Sequence, residues 1–429
     1  MRAATAAVVV AAATGTGDGG AIAERITRLG SGLTIATDPV PGARSVAIGV
    51  WVAVGARDEP AELSGVCHFL EHLLFKGTRT RTASDISRTV DRVGGDINAF
   101  TSKEYTSFYC RMPWRHATTG IELLGDVLAH SLIDPADVES ERQVILEELA
   151  MDDDSPDDVA MRAFAGEIFD GHPLGRDTAG DRKTVSSITA DDVRRFHAAH
   201  YRAGNTIVSV AGDVEHEELV GHIERAFVDL PAGDGRRSRS GPDGVGHGRS
   251  IHDETEQVHL VVGGRAVARD DPDREALDVV NHVLGGGLSS RLFDEIRERR
   301  GLAYSVYSAT ANYADTGMWS VYAGTLPEHV DTVRRLIATE LERLVADGIT
   351  DEELAVAVGY LVGAYEMGLE DTGARMSRLG GMLATRGEVI PVDEQLRRWE
   401  RVSHADIRRV LERVFTAGEP ITVSVGPGA

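Results

Sequence analysis

The same succession of structural patterns runs along this chain twice, and that repetition restricts the fold to one built from two like halves. Residues 230–250, LPAGDGRRSRSGPDGVGHGRS, are rich in Gly, Ser, Arg and Pro without apolar periodicity, and read as a solvated linker near the middle of the 429 residues. Before it, the alternating segment SVAIGVWVAVG leads into helical patterns, two strand patterns within GDINAFTSKEYTSFYCR, and long helices. After it, QVHLVVGG, further helices, the strand pair within AYSVYSATANYADTGMWSVYAG and long helices follow in the same order. The best local match is VGARDEP ending at Pro60 against AVARDDP ending at Pro272, which sets Arg57 and Asp58 on Arg269 and Asp270.

Each half is therefore expected to be an α+β unit, an antiparallel sheet covered on one face by helices such as ATTGIELLGDVLAH and DTVRRLIATELERLVADG. The uncovered faces would look at each other across a cavity. The expected division is a flexible tail at 1–22, a first α+β domain at 23–230, the linker at 231–249 and a second α+β domain at 250–429.

Composition narrows the function. With 42% hydrophobic and 26% charged residues the chain has what a soluble globular protein needs. The formal net charge of −23 repels nucleic acid and anionic membrane surfaces and would attract a cationic peptide. Two cysteines, Cys67 and Cys110, make no disulfide framework. No segment approaches the ~20 apolar residues of a membrane span. The opening MRAATAAVVVAAATG has one Arg and no Leu, a poor secretion signal, so the expected compartment is the cytoplasm, with secretion the lesser alternative.

The chemistry is concentrated in GVCHFLEHLLFKGT. His68 and His72 are four residues apart and share one helix face, a spacing suited to two ligands of one zinc. Glu71 lies beside that face, where a carboxylate can reach a metal-bound water, in the order HxxEH. Phe69, Leu70, Leu73, Leu74 and Phe75 surround the pair, so the helix is expected to be buried, and buried imidazoles need a partner. A catalytic zinc site takes a third protein ligand from another element. ESERQVILEELAMD offers Glu141, Glu147 and Glu148; the first and last share a helix face and Glu147 points about 100° away, and spacing does not choose among them.

These motifs resemble the insulinase/pitrilysin family of inverted-motif zinc peptidases, and within it the mitochondrial processing peptidase β subunit and its bacterial relatives; the likeness extends over nearly the whole chain. It implies one Zn²⁺ per chain held by His68, His72 and Glu148, with Glu71 as general base and Glu141, from the family's ERxVIxxE context, as a supporting carboxylate. GGDINAFTSKEYTSFY resembles the family's active-site edge strand, implying that Asn98 buttresses a zinc-binding histidine and that Ala99 and Phe100 border a bound peptide. An exposed strand edge can also take up an extended peptide on physical grounds alone.

Shifting the motif by 272 − 60 = 212 positions puts Val280, Val283 and Leu284 where the ligands and base stand, so the second half is expected to hold no metal. Its segment GGGLSSRLFDEIRERRGLAYSV resembles the family's second signature, implying that Arg297 and Tyr304 reach the substrate; a guanidinium and a phenol suit an oxyanion. The resemblance further implies peptides or flexible leader segments as substrates, and a homodimer or a heterodimer with a related subunit, since single-chain members carry about four such domains. The alternative is a non-catalytic core or scaffold subunit of the same fold. Cys67, one residue out of phase with His68, is expected to point off the ligand face.

Overall fold

The computed structural model describes residues 8–11, 24–235 and 238–428. The chain forms two compact units, and neither is one continuous stretch. The first comprises Met1–Leu149, Asp177–Ser238 and Glu366–Pro391; the second comprises Ala150–Arg176, Arg239–Tyr365 and Val392–Ala429. The tail expected at 1–22 lies outside the described residues except for Val8–Ala11, a strand paired antiparallel with Arg25–Arg28.

The strand orders make the duplication visible. In the first unit the sheet runs Val8–Ala11, Arg25–Arg28, Thr34–Pro39, Thr206–Gly212, Ser45–Val52, Thr106–Pro113 and, at the edge, Asp96–Thr101. In the second it runs Arg249–His252, Ile421–Gly426, Val258–Ala266, Gly317–Thr325 and, at the edge, Ala303–Asn312. The last five strands of the first sheet match the second one for one, including a single parallel pair in the same place, Thr34–Pro39 with Thr206–Gly212 and Arg249–His252 with Ile421–Gly426. The α+β reading stands, with sheets that are mixed rather than wholly antiparallel.

Ser45–Val52 shows how the first sheet is buried. Val46, Ile48, Val50 and Val52 face the helix layer, packing with Phe69, Leu70, Leu124 and Val127. Ala47 and Trp51 point the other way and meet Met376, Leu379 and Leu383 of the helix Thr372–Arg386. Each face of a strand takes every second residue, so a central strand covered on both sides becomes apolar throughout. The approach is close: a Cβ on Gly49 would come 2.3 Å from Met376 Sδ, and one on Gly380 would come 1.9 Å from Trp51 Nε1. Arg375 pairs with Asp38, and Ser45 and Thr372 share a hydrogen bond of 3.1 Å, at the end of the same contact.

The second unit mirrors this. Ala160, Ala163, Phe164 and Ile168, from Pro156–Ile168, pack on Val261, Val423 and Val425. A helix from each half of the sequence thus completes the unit built mainly from the other half, which is why the units interleave instead of dividing at 231–249. Residues expected to form a solvated linker carry no helix or strand before Arg249 among those described, yet they are tied down. Ala203 N–H donates to Pro231 O and Gly204 N–H to Gly233 O in the first unit, and Gly246 N–H donates to Glu167 O in the second. Among the described residues, no helix is long and apolar enough to cross a membrane.

In the second unit Glu353 closes the N-terminus of Asp351–Gly368. It accepts from Thr350 N–H at 2.8 Å, and Arg291 grips both of its oxygens at 2.6 and 2.8 Å. The Arg291 bonds hold its carboxyl down at about 2. A carboxyl depressed on folding contributes stability above its unfolded value, lost as pH falls through the folded one. Glu353→Gln should therefore be less stable than the parent at pH 6, with the gap closing between about pH 4.5 and 2 in urea denaturation; a pH-independent gap would contradict this.

Gly380→Ala should lower the denaturation midpoint, because overpacking against Trp51 at about 1–3 kcal/mol exceeds a helix-propensity gain of up to about 1 kcal/mol. Gly381→Ala, whose Cβ would meet only Trp51 Cζ3 at 4.0 Å, should raise it. Equal midpoints for the two variants would contradict the packing described.

Candidate metal centre

The helix Val66–Leu73 is driven against the first sheet by Val66, Phe69, Leu70 and Leu73, all fully buried, leaving His68, Glu71 and His72 half-buried on its other side. Its first turn needs acceptors for backbone N–H groups that no helical carbonyl reaches. Glu59 supplies them: its two oxygens accept from Gly65 N–H and Cys67 N–H, each at 2.8 Å. Gly65 itself sits at φ +98°, a conformation that favours glycine. Sequence reasoning missed Glu59, although it adjoins the repeated Arg57–Asp58 pair.

The third group arrives on the neighbouring helix Pro135–Asp153. Arg142 fastens that helix by donating to Val185 O and Ile188 O and lying 5.5 Å over the Phe69 ring. Of the three carboxylates left open by spacing, Glu141 is buried, Glu148 is half-buried and Glu147 faces solvent. Glu148 Oε2 lies 3.5 Å from His72 Nε2 and 3.8 Å from His68 Nε2, and the two rings stand edge to face with centroids 4.7 Å apart. Glu141 Oε2 accepts from His72 Nδ1 at 3.1 Å, and its other oxygen meets Lys76 Nζ at 2.6 Å. Lys76 was also missed; its one signal is a place four residues after His72.

These residues fit a zinc ion. Ligands about 2.0–2.2 Å from a tetrahedral ion sit roughly 3.3–3.6 Å from one another. Ligand atoms of His68, His72 and Glu148 lie within 4.8 Å of one another, and this is the metal-holding group found among the described residues. Burial, and then His72 beside it, pushes the His68 imidazole down to about 4, so at neutral pH it is the uncharged ring that coordination requires. His68 Nδ1 is buried with no hydrogen-bond partner, so no protein bond of that atom fixes the ring; a metal ligated by Nε2 would.

Glu71 stands next to this cluster. Thr101, on the edge strand Asp96–Thr101, donates to its Oε2 at 2.7 Å. Burial pushes the Glu71 carboxyl above the ordinary carboxylate range, against the lowering effect of the Thr101 bond, making it a stronger base than a solvated glutamate. The edge strand keeps Ala99 nearly buried and exposes Phe100 by 37%.

Asn98 lies on the same edge strand. Its Oδ1 accepts from Ala99 N–H at 2.8 Å, and no hydrogen bond joins it to either histidine. On an edge strand the outward N–H lacks a neighbouring strand, and the adjacent side-chain amide takes it. Arg297 and Tyr304 belong to the second unit, where the guanidinium lies 5.1 Å over the phenol ring and 4.8 Å over Phe293; Tyr304 is 80% exposed. Val280, Val283 and Leu284 are buried apolar residues of the second core. Cys67 is fully buried, burial pushes its thiol well up, and it stands outside the metal-holding group.

Comparison with known proteins gives this arrangement its class. Residues 34–182 match the family model described as insulinase (peptidase family M16), and residues 187–361 match the one described as the peptidase M16 inactive domain. A protein of Streptomyces coelicolor named an uncharacterized zinc protease is 44% identical over 411 residues, covering 94% of this chain and 89% of its own. One of the same description from Bacillus subtilis is 35% identical over 386 residues, covering 90% and 94%. In fold, the chain resembles the crystal structure of a protease from Helicobacter pylori, with a TM-score of 0.87 at 24% identity over 94% of this chain and 99% of that one. The chain belongs to the insulinase family of peptidases, M16.

Reconstituted protein should retain one zinc per chain after dialysis, by elemental analysis. Glu148→Gln and His72→Phe should lose it and Glu147→Gln should keep it; loss in Glu147→Gln with retention in Glu148→Gln would contradict the placement of these two side chains.

Proposed function

We propose that this chain is a zinc metalloendopeptidase that hydrolyses extended peptides or flexible leader segments, in the manner of the processing peptidases. The observation that carries the reading is the convergence of His68, His72 and Glu148, with Glu71 held beside them by a threonine of an open strand edge. When bound, zinc would supply Lewis-acid polarisation of a peptide carbonyl and acidify a water molecule.

The chain's own groups divide the remaining work. Asp96–Thr101 ends its sheet, so its free edge can pair with an extended substrate and lay the scissile bond beside Glu71. Glu71, with its raised pKa, takes a proton from the attacking water and returns it to the leaving amine. Glu141 orients His72 through Nδ1. Ala99 and Phe100 border the peptide, and a guanidinium and a phenol such as Arg297 and Tyr304 are suited to donate to a substrate oxygen. A net charge of −23 favours basic peptides, with rates that fall as salt rises, and the working form is a dimer, of identical or related subunits.

A second reading, a non-catalytic scaffold subunit, draws on the description of the model matched by 187–361 as an inactive domain. The half carrying His68, Glu71, His72 and Glu148 argues for catalysis. The readings separate when zinc-loaded protein is given a mixed peptide pool and the products are read by mass spectrometry. Cleavage should appear, vanish with a chelator, and fall by about 10²–10⁴-fold in Glu71→Gln with zinc retained. Zinc-loaded protein that cleaves nothing supports the scaffold; wild-type turnover in Glu71→Gln removes the proposed base.

A further inference from the structure

Lys76 leaves the helix that carries His68 and His72 at a fixed place. Its N–H donates to Leu73 O at 3.1 Å, closing the last turn, and Gly77 follows at φ +145°, turning the chain away. Four residues beyond His72, its side chain falls on the same side as that imidazole, and both meet one carboxylate of the neighbouring helix. Glu141 Oε1 takes the Lys76 ammonium at 2.6 Å and Oε2 takes His72 Nδ1 at 3.1 Å. The glutamate side chain is only 7% exposed, the lysine 38%.

A nearly buried carboxylate is costly unless each oxygen is satisfied, and here each has its own partner. The consequence runs through Glu141 to the metal face. With Nδ1 donating to Glu141, the lone pair of His72 stays on Nε2, the atom 3.5 Å from Glu148. Without the ammonium, Oε1 loses its partner, the carboxylate is free to turn toward solvent, and His72 loses the acceptor that sets both its tautomer and its ring plane. Groups outside the ligand shell that orient a ligand imidazole are typically worth 10–100-fold in metal affinity. A half-exposed ion pair with no such linkage would be worth little anywhere.

We infer that Lys76 is a positioning residue of the metal centre, clamping Glu141 so that Glu141 holds His72 in the orientation that presents Nε2. The inference rests on the reading of His72 as a zinc ligand.

The test is zinc affinity of the full chain by competition with a chromogenic chelator, in the parent, Lys76→Met, Lys76→Gln, Lys76→Arg, Glu141→Gln and Lys76→Met with Glu141→Gln. The neutral variants should bind zinc about 10-fold more weakly or worse, and Lys76→Arg should recover most of the loss. In the Glu141→Gln background, Lys76→Met should change affinity by less than about twofold, because its effect passes through the carboxylate. Parent-like affinity in both neutral variants overturns the inference, as does a Lys76→Met loss that persists undiminished without the Glu141 carboxylate. A parent that takes up no zinc overturns the metal reading itself, and this inference with it, so the two failures are told apart by the first measurement in the series.

Discussion

Two imidazoles and a carboxylate sharing a small, partly desolvated volume are the constraint around which the first unit is arranged. Such groups are costly to bring together without a common partner, and several neighbouring contacts hold the elements that carry them. Glu59 seats the first turn of the helix bearing His68, Arg142 anchors the helix bearing Glu148, and Glu141 fixes the outer nitrogen of His72. Thr101 joins Glu71 to the edge of the sheet. A site assembled from two helices and a strand keeps its shape only if those elements keep theirs.

That rigidity depends on an arrangement spread along the whole chain. The first sheet reaches Trp51 on a face closed by Thr372–Arg386, and the second sheet is closed in the same way by Pro156–Ile168. The two helices occupy equivalent places in the two repeats, each following the long helices after a strand pair. The duplication therefore yields two units, each including a helix from the other half of the sequence, and the metal-holding group found among the described residues is in the first. In the other, Val280, Val283 and Leu284 have become core.

What could be read in the sequence follows from the range of the interactions. The HxxEH spacing is a property of a single helix turn, so the facing of His68 and His72 and the off-face place of Cys67 were legible without tertiary knowledge. Choosing Glu148 over Glu147 required knowing which side of Pro135–Asp153 turns inward, which is set by contacts such as Arg142 with Val185 and Ile188. The sequence patterns did not show that Thr372–Arg386 covers the first sheet, because the exchange is decided by shape against Trp51 and Gly49. The bond from Ala99 N–H to Asn98 Oδ1 is a local one that a family motif does not show. Glu59 and Lys76 act through single hydrogen bonds and ion pairs across the fold, which leave no periodic trace.

The central claim is that His68, His72 and Glu148 jointly hold one zinc ion. X-ray absorption at the zinc edge of reconstituted protein tests it most directly. The spectrum should show two imidazoles and otherwise oxygen ligands, with no sulfur. A sulfur neighbour, or a spectrum without histidine, would contradict the account.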